Sequence, residues 1–107
     1  MKEFIAASWF ILQDPKAPGE HLTAQVLGGK YALVWQNLEG ALEFARVSPA
    51  GAGMETSELK SWPLKETFLR VAQALGANGI LIGYRPGSPQ AAALEISEAL
   101  KAVRELR

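Results

Sequence analysis

An α+β domain built on a mixed β-sheet is the fold this sequence predicts, on three observations. The aliphatic run Ile80-Leu81-Ile82 is bounded by Asn78-Gly79 and by Pro86-Gly87. Two segments rich in β-formers flank Gly28-Gly29. Apolar residues recur at helical spacing before and after the aliphatic run. A short apolar run without polar alternation suits a strand covered on both faces. Paired segments around glycines suit a hairpin, because primed turns need positive φ. Helices and strands mixed in this order give an α+β or small α/β domain.

Each element follows from its residues. Residues 8–13 read as a strand, and residues 2–7 as its start or a helical turn. Asp14-Pro15-Lys16-Ala17-Pro18-Gly19 reads as a loop, since two prolines and a glycine interrupt pairing. Residues 22–27 and 30–36 form the hairpin. In its second strand Tyr31, Leu33 and Trp35 share one face. Asn37 is a good N-cap for a helix over 38–46, with Leu38, Leu42 and Ala45 as its apolar stripe and Glu39 and Glu43 outward. Gly40 weakens that helix without breaking it.

Residues 48–53 are loop, and 54–59 fit a short edge strand, a helix or a loop. Trp62-Pro63 opens the next helix, with Leu64, Phe68, Val71 and Leu75 on one stripe and Gly76 at its end. Glu66 and Arg70 make a supportive i,i+4 pair. The strand at 80–84 follows. Ser88-Pro89 then reads as an N-cap with proline in the first turn, starting a helix over 88–106 whose stripe is Ile96, Leu100 and Val103, preceded by Leu94. Strands 30–36 and 80–84 are separated by a helical crossover, which makes them parallel near neighbours.

Size and charge limit the function. The chain has 107 residues, one domain spanning 1–107, able to bury roughly two-thirds of its unfolded surface. Hydrophobic residues make up 49%, which excludes disorder. Eleven basic and eleven acidic residues leave a formal net charge of zero. Neither a nucleic-acid nor a membrane partner is expected without a basic excess. No apolar run approaches a membrane span, and residues 1–12 do not read as a signal peptide. A cytoplasmic protein is expected. The absence of cysteine removes disulfide and thiolate chemistry. Few asparagines, two methionines and no cysteine fit a thermophile or a GC-rich genome.

The pattern resembles the N-terminal domain of the SseB family. The stretches that carry the likeness are Gly28-Gly29-Lys30-Tyr31-Ala32-Leu33-Val34-Trp35-Gln36-Asn37 and Ala77-Asn78-Gly79-Ile80-Leu81-Ile82-Gly83-Tyr84-Arg85-Pro86-Gly87-Ser88. The likeness covers residues 22 to 106. The family's Phe-Thr step is Trp35-Gln36 here, and its Asn-Pro is Arg85-Pro86. It implies a glycine-turn hairpin, a strand leading into a short helix, and no established enzymatic activity.

Motifs for chemistry are sparse. One histidine, His21, one aspartate, Asp14, and no cysteine cannot assemble a zinc-type cluster, and no metal or cofactor is expected. His21, at a loop end, reads as solvated. Glu39/Glu43 and Glu55/Glu58 read as solvated faces rather than catalytic pairs. No catalytic residues are assigned. Tryptophans 9, 35 and 62 read as core or interface rather than base-stacking platforms.

One arrangement suggests a site. Parallel strands at 30–36 and 80–84 would end at one sheet edge, where ligands of open α/β sheets tend to bind. Gln36, Asn37, Arg85 and Ser88 would converge there. Arg85 offers an anion clamp and a helix start at Ser88 offers amide donors. A small anion or carboxylate is the ligand this implies, although capping alone accounts for Asn37 and Ser88.

The function expected is a non-catalytic interaction or ligand-binding module. Homodimerisation is expected through Tyr31, Leu33 and Trp35, if helices leave that face uncovered. The alternatives are an enzyme or sensor of a small anionic ligand at those strand ends, using Arg85 and a glutamate, and a nucleic-acid accessory with a basic face of Lys60, Lys65, Arg70 and Lys101 or Arg104.

Overall fold

The computed structural model describes residues 2–17, 21–26, 28–85, 87 and 91–106. It is an α+β fold. In chain order the elements are α1 (Lys2–Ala6), β1 (Trp9–Gln13), β2 (Thr23–Val26), β3 (Gly29–Val34), α2 (Leu38–Val47), a 3-10 turn at Pro49–Gly51, β4 (Glu55–Leu59), α3 (Trp62–Ala74), β5 (Gly79–Ile82), β6 (Ala92–Glu95) and α4 (Ile96–Leu106). No helix among the described residues is long and apolar enough to cross a membrane.

The four-stranded sheet runs β2-β3-β5-β6 and a two-stranded sheet pairs β1 with β4. The β2–β3 hairpin is antiparallel, with Val26 opposite Gly29. Gly28 holds the turn at φ +77°, a conformation glycine adopts without a side-chain penalty. Gly29 already belongs to the ladder and is not a turn residue. β3 and β5 are parallel, with Val34 beside Ile82, as the crossover required. Phe10 and Trp35 exchange backbone hydrogen bonds of 2.8 Å in both directions, and this bridge ties the small sheet to the large one.

The segment Gly79–Ile82 is buried at every position. Ala32, Val34, Ile80 and Ile82 face α1, α3 and α4 and meet Trp9, Phe68, Leu69, Leu100 and Val103. Leu33, Trp35 and Leu81 face the other way, toward α2, and meet Leu12, Leu22, Ala41 and Phe44. Burial on both faces explains why this strand carries no polar alternation. Each buried aliphatic side chain contributes about 1.5–3 kcal/mol.

Several expectations are corrected. The last helix begins at Ile96, not Ser88: residues 92–95 form an antiparallel strand on β5. The open edge of β5 supplies backbone partners that a longer helix would have left unused. Gly79 makes the close approach of β6 feasible, since a β-carbon there would run into the Leu94 carbonyl oxygen. The expected cap at Ser88 lies outside the described residues. Two alternatives left open by the sequence are settled: residues 2–6 take the helical turn, and 55–59 form the short edge strand β4.

Two helices are rotated about their axes relative to expectation. α3 buries Lys65, Phe68, Leu69 and Ala72 and leaves Leu64 and Leu75 exposed. α2 buries Ala41 and Phe44 and leaves Leu38 and Leu42 exposed. In α2 the reason is contact with Trp35: a β-carbon at Gly40 would lie 2.9 Å from the Trp35 Cδ1. Small residues at 40 and 41 therefore set the packing face.

Leu33 and Trp35, each 1% exposed, are covered within the chain, and Tyr31 is half-buried. The face read as a dimer surface is the floor of the α2 layer. The reason for expecting self-association there lapses.

Candidate functional site

The strand ends come first. Gly83 N–H donates to the Val34 carbonyl at 2.8 Å, extending the parallel pairing past both strands. The Trp35 indole N–H donates to the Tyr84 carbonyl at 3.0 Å. Gln36, Asn37 and Arg85 thus stand at the same sheet edge, and all three are exposed. Asn37 Oδ1 is engaged as the α2 N-cap, accepting from Gly40 N–H at 2.8 Å. Ser88 lies outside the described residues, and the helix whose amides were to complete the site begins at Ile96 instead. Three of the four residues share an edge, without the helix start that was to supply the anion's other donors.

A second place has more of the character of a site. α3 lies across the β1–β4 pair and leaves a cleft of about 240 Å³. Ile11 and Gln13 of β1 and Ser57 and Leu59 of β4 line it on one side. Leu64, Thr67, Phe68 and Val71 of α3 line the other, and His21 completes it.

The local sequence explains the gap. Side chains alternate along β1, so Trp9, Ile11 and Gln13 point to the α3 side. Ser57 sits opposite Ile11 in the antiparallel register. A serine there leaves room that a larger residue would fill. Phe68 anchors the helix, edge-on to Trp9 at 6.4 Å and tilted against His21 at 4.8 Å. Leu64 and Val71, one turn to either side of Phe68, overhang the opening. Mostly apolar walls with a few converging polar groups are the usual make-up of a small-molecule site.

His21 is 9% exposed, held by a β-bridge to Gln13 and packed on Phe68. Sequence reading had it solvated at a loop end. The helical spacing marks Phe68 only as core, and no sequence motif marks the cleft. The available signal was polar residues, Gln13, Ser57 and Thr67, on elements that otherwise turn apolar faces inward.

The strongest electrostatic feature lies beside the cleft, on the buried face of α3. Lys65 is 1% exposed. Its Nζ donates to the Ile5 carbonyl at 2.7 Å and stands over the rings of Trp62, at 4.6 Å, and Trp9, at 5.4 Å. Burial pushes its pKa down from the ordinary 10.5. The carbonyl and the two indole faces favour the charged form and work against that shift. Lys65 therefore contributes nothing to a basic surface. Its ammonium serves the last turn of α1, where carbonyls lack helical partners.

A family model described as protein of unknown function (DUF3234) matches residues 6–100. No curated protein matches the chain.

Proposed function

The chain belongs to the DUF3234 family, and from its own geometry we propose that it is a non-catalytic binding module whose site is the cleft between α3 and the β1–β4 pair. One observation carries this reading. The cleft gathers an apolar floor and walls with Gln13, His21, Ser57 and Thr67, whereas the residues at the strand ends are spread over an exposed edge.

The variant Thr67→Phe tests the reading. Thr67 is an exposed residue at the mouth of the cleft. Threonine and phenylalanine have similar helix propensities, so unfolding should move by less than about 0.5 kcal/mol, as for other surface changes. The larger ring should block the opening and weaken small-fragment binding at least about tenfold, a loss of about 1.4 kcal/mol. Ligand-observed NMR with a panel of small ring compounds measures this. Fragments that bind the variant and the parent equally would place their site elsewhere.

A further inference from the structure

Resting on that reading, we propose that the cleft's ligand is uncharged: a single flat ring or compact branched group with one neutral hydrogen-bonding head of the amide class.

The chemistry of the lining sets the head. Of its polar side chains, Gln13, Ser57 and Thr67 carry no charge at any ordinary pH, and the fourth, His21, is an imidazole that donates and accepts when neutral. An amide, which also does both, satisfies such a set. The charged residues near the cleft are directed elsewhere. Lys65 is bonded to the Ile5 carbonyl. Glu66 meets Arg70 at 3.3 Å and Glu58 meets Lys60 at 4.0 Å. With His21 neutral, a carboxylate or ammonium entering between Leu59, Leu64 and Phe68 would lose its hydration without finding a counter-charge. That is the costly case for a buried ion.

Size and shape set the body. A cavity of roughly 150 Å³ accommodates benzene, and drug-sized ligands occupy roughly 300–1,000 Å³. At about 240 Å³ the cleft holds one ring and a small substituent, not a peptide or a helix. The tilted Phe68 and His21 rings offer planar surfaces to a flat partner.

The test is an amide-resolved NMR titration of the intact chain with three probes of matched shape: benzamide, benzoate and benzene. It is run at about pH 8, above the range where histidines ordinarily titrate. Benzamide should shift the amides of Gln13, Ser57 and Thr67 saturably, and bind about tenfold more tightly than either other probe, the factor that about 1.4 kcal/mol supplies. Benzoate binding as well as benzamide would overturn the uncharged head while leaving the site in place. Benzene matching benzamide would overturn the need for any head. If no probe shifts these three amides, the cleft reading itself fails, and the ligand class with it.

Discussion

Replacing Trp35 with alanine is expected to remove about 3–5 kcal/mol of folding free energy, the usual loss for a large buried aromatic. Trp35 is 1% exposed and joins several parts of the fold. Its backbone bridges the two sheets through Phe10. Its ring packs on Phe44 at 5.2 Å and against Gly40, fixing the rotation of α2. Its indole N–H satisfies the Tyr84 carbonyl, where the chain leaves β5. Alanine leaves a cavity that those elements cannot all close and a carbonyl without its donor. Single domains are stable by only about 5–15 kcal/mol, so the variant should be marginal at 37 °C. Each kcal/mol corresponds to roughly 4–8 °C in Tm for a domain near this size. Trp35→Phe keeps most of the volume and loses the N–H, so it should fold and lose about 1–2 kcal/mol. Denaturant unfolding of both variants measures the losses. A change below about 1 kcal/mol for alanine would mean the ring is not seated as described.

The second large effect is expected at Lys65. Lys65→Ala removes the buried stem packed between Trp9 and Trp62 and the donor to the Ile5 carbonyl. The cavity and the unsatisfied carbonyl together should cost about 3 kcal/mol. Lys65→Met keeps the stem and removes a desolvated charge, so only the carbonyl's lost donor remains, about 1 kcal/mol.

The pH dependence has a definite sign. Burial lowers the Lys65 pKa in the folded chain below its ordinary 10.5. Between the lowered value and 10.5 the unfolded chain binds more protons than the folded one. Stability from this group therefore rises with pH across that window, is complete above 10.5, and is lost as pH falls through the lowered value. Comparing urea midpoints of the parent and Lys65→Met from about pH 8 to 11 isolates it. The parent should gain on the methionine variant as pH rises. Parallel curves would show that Lys65 titrates as an exposed lysine does.

The sequence made the central strand legible because Ile80-Leu81-Ile82 lies between glycines and has no polar alternation to suggest a wet face. The helix starts at Asn37 and Trp62-Pro63 were equally local, since the chemistry of a helix start is written in a few adjacent residues. What escaped depended on distant partners. Ala92-Ala93-Leu94-Glu95 has helical preference, and only the unfilled edge of β5 makes it a strand. A lysine counts as polar in any periodicity, so the burial of Lys65 between two tryptophans and a carbonyl could not be anticipated. Leu64, Val71 and Leu75 fitted a core stripe, yet α3 rolls to bury Lys65, Leu69 and Ala72. The cleft draws its lining from residues 11–13, 21, 57–59 and 64–71, four separate stretches with no motif in any of them. Gln36, Asn37 and Arg85 stand at one exposed sheet edge, where Asn37 caps α2, while Ser88 lies outside the described residues.

Native-state amide hydrogen exchange tests the central claim most directly: that Gly79–Ile82 is enclosed by β3 on one side and by Ala92–Glu95 on the other. The amides of Ile80, Leu81 and Ile82 should be among the slowest to exchange, opening only with global unfolding, and the paired amides of β6 should be protected with them. Exchange at Ile80–Ile82 as fast as at the exposed Arg85, or helical rather than cross-strand contacts at residues 92–95, would contradict the account.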